Sequence, residues 1–273
     1  MYYSKIFMKY LNVFSLTAIV LVFVFFNSCG KKNENPNPVS NSVYSGPKGT
    51  LRMHLHNYIG AVQIDEYNIT YTTPENRKIN VTKAQYYLSN FELVKSDGSI
   101  YTINDSIVCK VLDFETYEIA DVPVGNYESI NFYIGLNDQM NKKLPGTGNS
   151  ALLNKPEMWF GSTPQPDGYI YFNFEGKIDI TANGTGTTSE MQPFKYLLGT
   201  SKAFKKITMK EGKFTVSPDQ VQFVHLNVDL SQIFKGIDLS KKENLNILNH
   251  SDNSSPAATK LIQNMSAMFK YEY

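Results

Sequence analysis

Residues Ala84–Ile103 read AQYYLSNFELVKSDGSIYTI. Aromatic residues crowd the stretch up to Leu93, Ser96-Asp97-Gly98-Ser99 supplies the turn, and Ile100-Tyr101-Thr102-Ile103 resumes an extended pattern, so the segment predicts a β-hairpin. The same pattern continues on both sides. Upstream, Leu51, Met53 and Leu55 alternate with Arg52, His54 and His56, the period-2 signature of a half-buried strand. Downstream, Val108–Phe114 and Ser129–Gly135 form a second pair around the turn residues Pro123–Tyr127. Further strands are expected at Tyr169–Phe174, Phe204–Met209, Lys213–Val216 and Val221–Leu230. Helical signals are few. A turn at Ala151–Lys155 would end at Pro156, another falls at Ser231–Lys235, and Ser254-Ser255-Pro256 offers a start for Thr259–Met268. Many short strands separated by Gly, Pro and Asn turns predict an all-β protein, an antiparallel sandwich or barrel with a few short helices. No internal repeat suggests a propeller or solenoid.

The N-terminus addresses the compartment. Lys5 and Lys9 precede a mostly apolar run, Leu11–Phe26, and Asn27-Ser28-Cys29-Gly30 follows at once. This reads as a lipoprotein signal over residues 1–28, with Cys29 the acylated N-terminus of the mature chain. The run is short for a membrane span and is interrupted by Asn12, Ser15 and Thr17. The Asn-, Pro- and Ser-rich residues 29–48 are expected to be a flexible linker, and 49–273 the folded domain. The expected partner is thus a membrane, through the lipid, and the expected location the bacterial envelope, as an outer-membrane lipoprotein facing the periplasm. No acidic run after Cys29 argues for export to the surface. With Cys29 acylated, Cys109 has no cysteine left to pair with. A formal net charge of +1 gives no basic stripe, which argues against nucleic-acid binding.

A search for catalytic apparatus returns little. There is no G-x-S-x-G elbow, P-loop, H-E-x-x-H or C-x-x-C, and no enzyme is predicted. The Gly-rich piece Asn183-Gly184-Thr185-Gly186 lacks the strand-to-helix flanks of a dinucleotide turn and reads as a loop. Asp113 and Glu115 are paired carboxylates, but i,i+2 carboxylates are common on strands. Four histidines remain for metal chemistry. His54 and His56 project from one face of a strand at a spacing that lets two imidazoles reach one ion, although a solvated edge would place them there equally well. His225 shares its face with Phe223 and Asn227, opposite the apolar set Val224, Leu226 and Val228. His250 falls in an Asn-rich loop, and Cys109 sits in an apolar pattern that suits a small buried residue.

Several blocks, in order, carry a resemblance. They are LRMHLHNYIG (51–60), VTKAQYYLSNFEL (81–93), DVPVGNYESINFYIGLND (121–138), EMWFGS with GYIYFNFEG (157–162 and 168–176), FKYLLGT (194–200) and VHLNVDLSQIF (224–234). Together they resemble the MbnP-like family of secreted or lipid-anchored bacterial β proteins, related to a methanobactin-associated periplasmic protein and to methanotroph surface proteins that hold copper through histidines and an oxidised tryptophan. The resemblance implies a β-sandwich and copper as cofactor. It implies Trp159, the chain's one tryptophan, His225 and His56 as metal-site residues, with Asn57 in the same first-strand block, and the i,i+2 spacing adds His54.

The chain departs from the family pattern in three places. Met158 and Trp159 are adjacent, which displaces the tryptophan by one position. Tyr196-Leu197-Leu198-Gly199 stands where relatives often read Y-H-I-G, and the tail Met268–Tyr273 has no histidine. Leucine cannot ligate a metal. Two functions are therefore expected in competition: a lipid-anchored copper-handling protein with a rebuilt site, and a structural, protein-binding or glycan-binding sandwich that has lost its metal.

Overall fold

The computed structural model describes residues 44–147, 150–160, 168–249 and 255–272. The signal segment, Cys29, most of the linker and His250 lie outside the described residues. Fourteen strands are described. The first seven are β1 (Lys48–Ile59), β2 (Val62–Gln63), β3 (Thr70–Thr72), β4 (Lys78–Lys95), β5 (Ile100–Lys110), β6 (Thr116–Pro123) and β7 (Gly125–Ile134). The rest are β8 (Ile170–Asp179), β9 (Met191–Gly199), β10 (Lys205–Thr208), β11 (Phe214–Val216), β12 (Val221–Asp229), β13 (Asn246–Asn249) and β14 (Phe269–Tyr271).

They form two sheets curled into a sandwich. The smaller sheet contains β14, β12, β1 and β2 in that order, with β6 paired to β1. The larger is organised around β4, whose N-terminal half pairs with β3 and β8 and whose C-terminal half pairs with β5 and β7. Both sheets are mixed, where strand patterning alone predicted antiparallel pairing. β1 runs parallel to β12, and β9 parallel to β13. Parallel neighbours must be joined by a long connection, and β1 and β12 are separated by most of the domain.

Alternation sets which residues face inward. On β1, Leu51, Met53, Leu55 and Asn57 are buried between the sheets, and Arg52, His54, His56 and Tyr58 face out. On β4, Tyr86 faces inward, donating a 2.9 Å hydrogen bond to Asn57 Oδ1 across the sandwich and meeting the Phe269 ring edge-on. Tyr87 points the opposite way.

β7 and β8 lie almost end to end along one edge of β4, and residues 150–160, between them in sequence, pack on the outer face of the larger sheet. Tyr87 Oη donates to Leu152 O, and Tyr169 Oη donates to Leu153 O, each at 2.8 Å. Helices are short. The longest is Pro256–Asn264, where Ser255 accepts the Ala258 N–H as N-cap and proline opens the first turn. No helix among the described residues is long and apolar enough to cross a membrane.

Candidate metal centre

All three described histidines lie on the outer face of the smaller sheet. The parallel register places His54 beside His225 and His56 beside Asn227. The His54 and His56 rings are 4.4 Å apart, and those of His54 and His225 5.1 Å. The i,i+2 spacing explains the first pair; the second needs the pairing of β1 with β12, which no local pattern encodes.

Glu115 completes the cluster. Its carbonyl accepts the Leu55 N–H at 2.9 Å, which fixes it opposite the midpoint between His54 and His56. Its Oε2 then lies 3.3 Å from His54 Nε2 and 3.2 Å from His56 Nε2, and Gln63 Nε2 holds Oε1 at 3.2 Å. Donor atoms of the three residues all fall within 4.8 Å of one another. Two ligands bound at about 2.1 Å in tetrahedral geometry would be separated by roughly 3.4 Å, so the spacing suits a shared ion.

A buried lysine positions this carboxylate. Lys110 Nζ donates to Val111 O at 2.7 Å and to Phe114 O at 2.8 Å, and Tyr117 Oη donates to Phe114 O at 2.6 Å. These bonds clamp the turn that delivers Glu115. Burial pulls the Lys110 amine down to about 8, against the opposing pull of Glu115 and Asp113.

Glu272 closes the other side, where its N–H donates to His225 O at 3.1 Å. Its carboxylate stands 3.5 Å from His56 Nδ1 and 3.5 Å from His225 Nδ1. His56 Nδ1 is buried, and at that separation it has no hydrogen bond. The row His54, Glu115, His56, Glu272, His225 thus alternates imidazole and carboxylate. Burial first, and then the charges of Glu272, Asp65 and Glu115, raise the Tyr58 phenol above its ordinary value, which marks the surroundings as negative. A groove of about 400 Å³ lined by His54, Ile64, Asp65, Asp113, Phe114 and Glu115 opens the cluster to solvent. The arrangement suits a cation and would repel an anion.

Trp159 lies elsewhere. It bridges Tyr169 at the start of β8, with the two rings edge-on at 4.7 Å, and the Tyr169 ring in turn meets Tyr87 at 5.9 Å. This is the outer face of the larger sheet. Both sheets and the core stand between Trp159 and the imidazoles, a separation greater than the ~10 Å spacing of packed sheets. Leu197 belongs to this second face too, since its neighbours Tyr196 and Leu198 are the buried, inward residues of β9. Cys109, paired with Tyr87 across β4 and β5, is buried, and burial pushes its thiol up to about 12. Such a thiol stays protonated at neutral pH.

A profile of the MbnP family matches residues 48–252. The chain belongs to the MbnP family. Among solved structures, MbnP from Methylosinus trichosporium superposes with a TM-score of 0.52 at 15% identity, over 83% of this chain and 99% of that one. That likeness establishes a shared fold for the two MbnP-family chains. No curated protein sequence matches this one.

The sequence singles out His54, His56 and His225 but offers Glu115 only as half of a carboxylate pair with Asp113, and Glu272 carries no local signal in a tail without histidine. The i,i+2 spacing of Asp113 and Glu115 puts both carboxylates on one face, and both line the groove beside His54.

Proposed function

We propose that this chain is a copper-binding protein tethered to the envelope membrane by a lipid on Cys29, acting in metal binding or handling and not in catalysis. One ion is held by His54 and His56 through Nε2 and by a Glu115 oxygen, with His225 and Glu272 alongside. The convergence of those three donors on the outer face of the smaller sheet carries the reading. The unpartnered, buried His56 Nδ1 beside Glu272 supports it, since a metal-bound imidazole commonly gives its second nitrogen to a carboxylate. Two imidazoles and a carboxylate form a borderline-to-hard donor set that favours the divalent ion over Cu⁺, which prefers sulfur ligands. Copper bound there would supply Lewis-acid and redox character. The protein supplies an anionic, solvent-open seat whose carboxylate is fixed by Lys110 and Gln63.

Metal analysis after Cu²⁺ titration of the purified protein tests this. One equivalent retained through desalting, and lost in His56→Ala and in Glu115→Ala, is expected. Retention by both variants would contradict it.

The second reading, a sandwich that binds a protein or glycan without metal, rests on Phe114, Val221 and Phe223, which are exposed on or beside the same sheet. It gains ground if no ion is retained.

A further inference from the structure

Glu272 divides its carboxylate between two imidazoles. Oε1 stands 3.5 Å from His56 Nδ1, and Oε2 stands 3.5 Å from His225 Nδ1. The first contact backs the ion held by His54, His56 and Glu115. That ion leaves the second contact unused.

The sheet register sets the second pair apart from the first. His225 stands between His54, its partner on β1, and Glu272, whose N–H donates to His225 O on the far side. His225 turns Nδ1 toward Glu272, so this nitrogen and Oε2 face each other away from the donors that meet at Glu115. Their separation exceeds the 2.7–3.2 Å of a good N–H···O bond. It matches the roughly 3.4 Å between two donors bound at about 2.1 Å to one tetrahedral ion. The pair is therefore spaced as ligands are. Two residues further along the same outward face of β12, Asn227 carries a buried Oδ1 that no donor meets.

Each pair also has its own opening to solvent. The groove beside His54 and Glu115 serves the first ion. A larger groove, about 590 Å³, is lined by His225 and Glu272 and by none of the first ion's ligands. The carboxylates of Glu128, Glu211 and Glu272 outnumber the ammonium groups of Lys210 and Lys213 in it, and Lys213 is already paired with Glu128 at 3.0 Å. A cation approaching from that side meets His225 and Glu272 first.

We infer that His225 Nδ1 and Glu272 Oε2 form a second, outer seat for a divalent cation of the borderline class, Cu²⁺ or Zn²⁺, with water completing its shell. The inference rests on the copper-binding reading, because Glu272 Oε1 stays on His56 while Oε2 holds the outer ion. Two divalent ions this close repel each other, and the charges of Glu115, Glu272, Asp65 and Asp113 around them offset the repulsion. With two protein donors the outer seat is the weaker one and exchanges with solvent, so the equivalent that survives desalting is the inner ion.

The test is titration of the full chain with Cu²⁺ under equilibrium dialysis, with electron paramagnetic resonance at each step. Wild type should bind a second equivalent after the first, and the two signals should broaden each other through dipolar coupling. His225→Ala should lose the second equivalent and the broadening. Glu115→Ala should bind one ion without broadening, and adding His225→Ala to it should abolish that ion. Saturation of wild type at one equivalent that Glu115→Ala removes would overturn the outer seat alone. So would a second equivalent that shows no coupling, or one that survives in His225→Ala. A single equivalent that Glu115→Ala keeps and His225→Ala abolishes would instead overturn the inner seat and leave the outer one standing.

Discussion

The two outer faces of this sandwich have been built for different purposes from the same strand grammar. The face of the smaller sheet carries three imidazoles and two carboxylates in contact, open to solvent through a groove. On the larger sheet, Tyr87, Tyr169 and Trp159 pack ring against ring beside Leu152 and Leu153, with a leucine at the position where the family resemblance would put histidine. Metal-ligating and aromatic residues that the sequence suggested as one site are thereby divided between opposite sides of a core. Composition alone cannot make that division. It follows from whether a residue falls at an odd or even position of its strand, and from which sheet the strand joins.

Breaking the imidazole face should have the largest effect. His56→Ala or Glu115→Ala each removes a proposed ligand, so copper affinity should fall by at least ~10–100-fold, as read by competition with a chelator of known strength. Glu272→Gln sharpens the same face. It keeps the shape but removes the charge beside His56 and His225, and a loss of about tenfold is expected, with stability nearly unchanged. An effect as large as that of His56→Ala would make Glu272 a direct ligand.

Probing the aromatic face should leave copper alone and move stability. Tyr87→Phe deletes the bond to Leu152 O and should cost about 1 kcal/mol. That corresponds to a lowering of the melting midpoint by about 2–4 °C with no change in metal stoichiometry.

Lys110 links the fold to the site and has its own pH signature. Its folded value of about 8 lies below the ordinary lysine value of about 10.4, so the unfolded chain binds the extra proton between those limits. Stability should therefore rise as pH increases from about 8 toward 10. Above 10 the gain is offset, because buried tyrosines such as Tyr86, held neutral by burial, ionise only on unfolding. Denaturant melts of wild type and Lys110→Met across this range should show the rise in wild type alone.

The strand pattern of the fold was legible because alternation is local. The Ala84–Ile103 hairpin, the inward set of β1 and the split of β12 into His225 and Val224 faces all follow from period 2. The parallel pairing of β1 with β12 was not legible, since it joins residues 171 positions apart at His54 and His225. The metal cluster was therefore half visible. His54 and His56 announce each other, whereas Glu115 and Glu272 arrive from a clamped turn and from the residue after the last strand.

Electron paramagnetic resonance of the Cu²⁺-loaded protein, compared between wild type, Trp159→Phe and His56→Ala, tests the division of the two faces most directly. The account predicts one signal with coupling to imidazole nitrogen, unchanged by Trp159→Phe and abolished or reshaped by His56→Ala. A signal that Trp159→Phe alters and His56→Ala leaves intact would place the ion on the aromatic face and contradict it.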